Sequence, residues 1–473
     1  MSLNTIFPSL LVAVTLAFTL LLPAVPATAQ SDFSGYLSNY NAFTTSPPSE
    51  IISGRNRLRL NFRNDFNDGR VYISSDLRQL YSFSSDSLDF RLREAFMDIF
   101  LNNGDLRIGK QVIAWGKTEG DFIFDIVSPF DLSEFLTQDF RELREGVTAI
   151  SYTHFFGRNQ LQLILNPVFE PSRLPAYDGT WGIVPTDIFP IPTEFRSYDP
   201  DAITLRDMQY AARFAWRPSG SFDLDVALMY WRSGAPGYRK NFTTVGIGDF
   251  NVPLSVTFTE DYEPGIVTGF WGEYRFSSDL RFLFEAAYFE KRPYDILPGE
   301  LTDDDLRLFR RLDEGTINLP DLELLGPALQ RFNNTLQEGQ PIGFLTYRPA
   351  VKWMAGLQYP LYNWNTSIQY VAETALDYED AILQDEWFHG ISISSNRSFF
   401  RDQLLARLLT RYQLNGNDYW INPELAWDFR DGLTFTAGSH LFGGETPDLD
   451  YTHLSFRRYG GNSLVYLSAA WFW

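Results

Sequence analysis

The residues best placed to do chemistry in this chain are arginines that recur at every second position. Arg57, Arg59 and Arg63 share one parity of their segment, as do Arg91 and Arg93; Arg70, Arg78 and Arg107 fall on the matching parity of theirs. Arg213, Arg217, Arg407 and Arg411 continue the pattern further along. Residues two apart on a β-strand project from the same face, so these guanidinium groups would line one surface. Such a row can guide anionic groups past it. It can equally be wall structure, each cation neutralised by a carboxylate such as Asp76, Glu94 or Asp98. Arginine set against lipid costs roughly 2–4 kcal/mol near a bilayer midplane, so in a membrane protein this face has to be the inner one.

A second set lies in segment 117–145, where Glu119, Asp121, Asp125, Asp131, Glu134 and Asp139 alternate with Phe122, Phe124, Phe130, Phe135 and Phe140. A connection this apolar gains by folding inward against a wall. We expect a constriction loop whose carboxylates, Asp121 and Asp125 foremost, oppose Arg57, Arg59, Arg91, Arg93 and Arg107 and set a transverse field across an eyelet. Lys117 and Glu94 would complete its charges, and Asp131 its acidic side. An eyelet dominated by Trp115, Phe122 and Phe124 would instead suit a hydrophobic compound. The alternative placement is an outward lid.

Catalysis finds little support. Of four histidines, only His389-Gly-Ile-Ser392, followed by Asn396, approaches the Ser-His-Asn set of barrel phospholipases. Those enzymes place His and Ser two apart on the outer face of a strand. Here position 391 is Ile, Ser392 falls on the other parity, and the segment reads as loop. No metal-ligand spacing, phosphate-cradling loop or nucleotide fingerprint occurs, so neither enzyme activity nor a cofactor is expected. The absence of cysteine excludes disulfides and thiolate metal sites. A net charge of -20 argues against nucleic acid and anionic lipid as partners.

The elements that must position these residues alternate with period two from Asp32 to the chain end. Arg55–Phe66 sets Leu58, Leu60, Phe62 and Phe66 against the arginines, and Met208–Trp216 and Phe222–Tyr230 alternate as cleanly. The last strand carries Val465, Leu467, Ala469, Trp471 and Trp473 on one parity, apolar and aromatic-tipped as a barrel strand facing lipid should be. This ending resembles the C-terminal signature of bacterial outer-membrane barrels, which implies recognition by their assembly machinery. Trp216, Tyr274, Tyr359, Tyr362, Trp364, Tyr412 and Tyr419 gather beside short turns, as an interfacial girdle would. Long connections at 117–145, 167–205, 232–264, 291–345 and 375–400 alternate with short-turned hairpins. Outer-membrane barrels have that asymmetry, short turns inside and long loops outside. With Phe33–Phe43 and a short strand near Tyr451–Arg458, the register gives about 18 antiparallel strands, or 16 on the alternative count. Asn251–Thr259 reads as an extracellular hairpin arm. Loop 291–345 reads as partly helical, with a Thr302-x-x-Asp305 capping box ahead of Leu306, Phe309 and Leu312 and a second amphipathic stretch from Leu322 to Leu336.

Residues 1–29 read as a signal peptide, an apolar run from Leu10 to Leu22 followed by Pro23 and Ala27-Thr28-Ala29, although no Lys or Arg precedes the run. Composition agrees with a barrel over 30–473: 44% hydrophobic and 16% aromatic, yet mean hydropathy is only -0.20 because lumen and lipid faces alternate.

Arg91-Leu-Arg-Glu-Ala-Phe96, Arg107-Ile-Gly-Lys-Gln111, Trp115-Gly-Lys117 and Ser128-Pro-Phe-Asp-Leu-Ser133 resemble the signature of a group of uncharacterised, porin-like outer-membrane proteins of Gram-negative bacteria, over roughly residues 88–146. The resemblance implies a barrel with an eyelet of that group's type. It also brings an association with envelope export systems for hydrophobic compounds beside porin-type uptake. Within it, Lys110 shares the outward parity of Leu106 and Ile108, and a bulge at Gly109 would re-aim it inward. The sequence thus points to a transmembrane antiparallel β-barrel in the bacterial outer membrane, surrounded by its lipid. Its expected work is transport: a channel passing small polar solutes, anionic ones included, with a hydrophobic-compound conduit or partner subunit of an envelope transport system as the alternative.

Overall fold

In the computed structural model, residues 30–46, 50–81, 86–138, 142–177, 179–182, 193–198, 208–247, 250–296, 301–313, 315–337, 344–445 and 455–473 are described. The proposed signal peptide, Asp139, Phe140 and 446–454 lie outside them.

Strands appear where the period-two pattern places them. They are β1 (Gln30–Thr44), β2 (Ile51–Phe66), β3 (Gly69–Tyr81), β4 (Asp86–Leu101), β5 (Gly104–Gln111), β6 (Val147–Phe156) and β7 (Asn159–Asn166). Then come β8 (Thr193–Arg196), β9 (Gln209–Trp216), β10 (Phe222–Arg232), β11 (Gly237–Ile247), β12 (Phe250–Asp261), β13 (Pro264–Arg275) and β14 (Arg281–Asp295). The last are β15 (Leu345–Leu361), β16 (Trp364–Ala375), β17 (Trp387–Phe399), β18 (Leu404–Gln413), β19 (Asp418–Arg430), β20 (Leu433–Gly444) and β21 (Leu464–Phe472). All but β8, β11 and β12 form one 18-stranded antiparallel sheet, which closes where β21 pairs with β1. Trp473 and Gly35 exchange backbone hydrogen bonds of 3.1 and 3.2 Å beside that seam. Closure leaves no unpaired strand edge, the condition for spanning a bilayer with strands. The outward rows are apolar: Leu60, Leu77, Phe90, Leu228, Phe270, Leu357 and Leu467 are all exposed.

Two strands differ from the sequence reading. Trp387–Phe399, placed within the connection 375–400, is a barrel strand. Its inward face is Gly390, Ser392, Ser394 and Asn396, small polar residues without the usual alternation signal. Tyr451–Arg458 was expected as a strand; its start lies outside the described residues and Phe456–Asn462 is a 3-10 helix. The two differences compensate, so the count of 18 stands. They also move the Asn415–Asn417 turn, with Tyr412 and Tyr419, to the end that carries the long connections.

Strands β8, β11 and β12 form a separate sheet, the expected external arm. Helices α1 (Asp303–Asp313) and α2 (Leu319–Gln337) lie between β14 and β15. The capping box forms reciprocally: Thr302 N donates to Asp305 at 3.0 Å and Asp305 N to Thr302 Oγ1 at 3.3 Å. Leu308, Phe309, Ala328 and Phe332 bury one face of the helix pair against Tyr238, Val256 and Phe258 of the arm.

Candidate functional site

The connection from β5 to β6, residues 112–146, runs into the barrel and back, and it does so in two lobes. Glu285, on the inner face of β14, anchors the first. Its carboxylate accepts hydrogen bonds from the backbone N–H of Lys117 (2.6 Å), Thr118 (3.0 Å) and Phe124 (2.7 Å), and from Thr118 Oγ1 (2.8 Å). Gly116 makes that approach possible: its φ is +95°, and a Cβ there would sit 2.6 Å from a Glu285 oxygen. Around this anchor Ile113, Trp115, Ile123, Phe124 and Val127 pack on lumen residues that include Met229, Trp231, Val267 and Trp271. Trp115 stacks on Trp271 at 5.8 Å. At its tip Asp121 pairs with Lys352 (2.7 Å) and Arg411 (2.8 Å), while the Glu119 carbonyl accepts from Ser392 Oγ at 2.6 Å.

The second lobe, from Pro129 to Glu145, lies on the arginine wall of β2–β4. Arg55 donates to both oxygens of Glu134 at 2.9 Å. Arg78 reaches Asp131 at 2.9 Å, and Arg91 binds the same carboxylate and Glu145. Arg59 holds Asp76 through two bonds of 2.7 and 2.8 Å and pairs with Glu142 at 2.6 Å. Arg57 donates to Gln138 at 3.1 Å and Glu142 at 3.3 Å. Arg93 donates to the carbonyls of Glu142 and Arg144; it is the extra residue of a bulge, since Ser74 pairs with Glu94 and Ser75 with Leu92. That bulge turns both Arg93 and Glu94 away from the outer face. The lobes are joined by Arg144, which donates through Nε to Asp125 at 2.7 Å.

The sequence-predicted residues therefore fall into distinct groups. Arg57, Arg59, Arg91 and Arg93 come together, but Asp131, Glu142 and Glu145 meet them rather than Asp121 and Asp125. Arg107 sits lower, bidentate on Asp98 at 2.6 and 3.0 Å and stacked on Phe96. Arg63 pairs with Asp65 near the β2–β3 turn. Glu94 accepts from Val112 N, and Lys117 Nζ reaches Glu273 at 3.3 Å. Lys110 keeps its outward parity: no register shift occurs at Gly109, and Glu170 neutralises the charge at 2.7 Å. Trp115 and Phe124 are packed away at 4% and 0% exposure, whereas Phe122 borders open space and stacks on Phe130 at 4.2 Å. Sequence reasoning missed Glu285, Lys352 and Glu142. A lone carboxylate between Leu283 and Ala287 on an inward row was the available signal for the first.

Beside the segment, a cavity of about 580 Å³ runs along the inner faces of β17–β21 and β1, bordered by Arg55, Arg407, Glu424, Asn422, Glu119 and Asp121. Two smaller spaces of about 380 and 360 Å³ lie toward the short-turn end, around Arg107 and Arg213 and around Arg59 and Arg93. His389 points outward to Tyr370 at 2.6 Å while Ser392 points inward, so the pair cannot act on one substrate. The segment is strand, not loop. Among the described residues no cluster of His, Asp or Glu converges as a metal site would.

No family model and no curated protein sequence matches the chain. Among solved structures it is similar to the outer-membrane channel DcaP of Acinetobacter baumannii, at 11% identity and TM-score 0.42 over 94% of this chain and 98% of that one. OccAB2 of the same organism aligns at 10% identity and TM-score 0.47 over 94% and 98%. OccK8 of Pseudomonas aeruginosa gives 9% and 0.47, again over 94% and 98%. The strand count and closure rest on the chain's own pairing.

Proposed function

We propose that this outer-membrane barrel is a channel for small polar solutes, which pass beside the inward segment. The cavity of about 580 Å³ between that segment and the β17–β21 wall carries the reading, because its border mixes arginines, carboxylates and amides. A path lined by both signs of charge suits hydrated solutes and excludes apolar ones by desolvation cost. On its border Arg407 pairs with Glu424 at 3.2 Å and Arg55 with Glu134 at 2.9 Å, and the arginine wall is already matched by the segment's own carboxylates. Anions therefore pass without strong preference over cations. The rival, a hydrophobic-compound conduit or export-system subunit, needs an aromatic path, and Trp115 and Phe124 are committed to packing instead.

The test is conductance of the refolded mature chain in a planar bilayer under a salt gradient. Steady open steps with a reversal potential near zero support the channel. A folded but silent barrel overturns it and favours the rival.

A further inference from the structure

The outer face of β1–β3 carries a cluster of amides beside apolar outward rows. Asn39 and Asn41 on β1, Asn56 on β2, and Gln79 and Tyr81 on β3 share the outward parity of Leu37, Leu58 and Leu77. They form one hydrogen-bonded ladder across three strands. Asn39 Nδ2 donates to Asn56 Oδ1 at 2.8 Å and to the Tyr81 hydroxyl at 3.2 Å. Asn56 Nδ2 donates to Gln79 Oε1 at 3.0 Å, Asn41 Nδ2 to Asn39 Oδ1 at 2.6 Å, and Tyr81 Oη to Asn41 Oδ1 at 2.7 Å. Tyr81 reaches so far because Gly54 leaves room: a Cβ there would stand 2.0 Å from its ring.

On β1 and β2 the ladder stops short of the strand ends, and on β3 it reaches the last residue, Tyr81. Phe43 and Ile51, paired with each other, lie above it, and Leu37, Leu58 and Leu77 lie below. To its sides stand Leu88 and Phe90, 73% and 69% exposed, and Leu467 at 61%. Amides inside an apolar belt need partners that acyl chains lack. Asn41 and Asn56 each donate once within the ladder, which leaves a second amide hydrogen on both. Polar side chains that meet across a protein contact are the usual resolution within a membrane. An amide carries donor and acceptor together, so the same patch on a second copy complements it.

We propose that the outer face of β1–β3, centred on Asn39 and Asn56 and rimmed by Leu88 and Phe90, is the surface on which two copies of this chain associate in the membrane.

The chain has no cysteine, so a single introduced thiol can be cross-linked only to another copy. Phe90→Cys and Leu88→Cys, each refolded into lipid vesicles, should give a covalent dimer with a short bifunctional maleimide. Leu357→Cys, exposed on β15 across the barrel, should yield at least tenfold less. Adding Asn39→Leu to Leu88→Cys should cut its yield severalfold. Dimer absent at both patch positions, or equal at Leu357, overturns the proposal. A yield untouched by Asn39→Leu removes the ladder's role. Two patch positions keep the test decisive should one variant fail to fold.

Discussion

The two lobes of the inward segment occupy the same lumen but are held by different balances of packing and charge. The first wedges Trp115, Ile123 and Phe124 among Trp231, Val267 and Trp271, with one carboxylate, Glu285, collecting its backbone donors. The second buries Phe135 against Trp181, Phe442 and Tyr459 at one end, and along the wall it matches Asp131, Glu134, Glu142 and Glu145 to a row of arginines. Apolar packing is indifferent to pH and to the identity of each neighbour. A buried ion-pair array adds modest net stability when intact and becomes strongly unfavourable when one partner is lost. The first lobe is therefore a fixed plug and the second a conditional one.

The largest expected effect breaks the first lobe at its anchor. Glu285→Ala leaves the N–H groups of Lys117, Thr118 and Phe124 without their charged acceptor and should loosen the lobe by about 5 kcal/mol, since bonds to charged groups contribute about 1.5–3 kcal/mol each and are not additive. Trp115 and Trp271 report directly: their fluorescence should shift to the red, and channel conductance should rise with added noise. An unchanged spectrum would mean that packing alone holds the wedge.

Arg91→Ala comes next and strikes the second lobe. It strips Asp131 and Glu145 of a shared cation, and loss of one partner from a buried pair costs about 3–5 kcal/mol; Arg78 retains part of the pairing, so about 3 kcal/mol is expected. Single-channel recordings should show new, larger open levels, while tryptophan emission, read in a Trp181→Phe background because Trp181 stacks on Phe135 of the second lobe, stays as in that background. A red shift equal to that of Glu285→Ala would show that the lobes move as one.

How much of this contrast could be read from the sequence depends on its periodicity. The arginine wall was legible because Arg57, Arg59, Arg91 and Arg93 keep period two, and the inward folding of 117–145 because five phenylalanines need cover. The partner assignment was not. Spacing gives no depth, so nothing told Asp121 to cross to Lys352 or Glu142 to take the place beside Arg59. Strand β17 was hidden for a related reason: its Gly390, Ser392 and Ser394 make room for Glu119, a contact 273 residues away in sequence from Ser392. The bulge was placed at Gly109, where a glycine stood out, whereas the pairing puts it at Arg93.

A smaller effect tests whether the wedge's entry is strained. Gly116 at φ +95° resists any side chain, so Gly116→Ala should cost about 1–3 kcal/mol from backbone conformation alone, and the close Glu285 oxygen adds to it. The same tryptophan shift as in Glu285→Ala, at reduced amplitude, is expected. Gly157→Ala, in an open turn with no atom near its absent Cβ, is the control for strain without contact.

The smallest effect is also the most discriminating, because acid should divide the lobes. Burial pushes the Asp131 and Glu142 carboxyls upward, but Arg91 for the first, and Arg59 and Arg93 for the second, hold both below their ordinary values. Groups depressed by folding stabilise above their unfolded pKa, about 4, and that stabilisation is lost as pH falls through the lower folded value. Asp125, in the first lobe, is raised instead: burial dominates and Arg144 only partly offsets it. Its contribution is fully present below its unfolded value and lost as pH rises through the raised one, so at neutral pH its charge is a cost. Lowering the pH below about 4 should thus enlarge conductance by freeing the second lobe while Trp115 emission holds. Asp125→Asn should leave the first lobe as firm as before at pH 7, and Asp131→Asn should reproduce the acid phenotype there. Equal acid sensitivity of conductance and emission would erase the distinction between a fixed and a conditional plug.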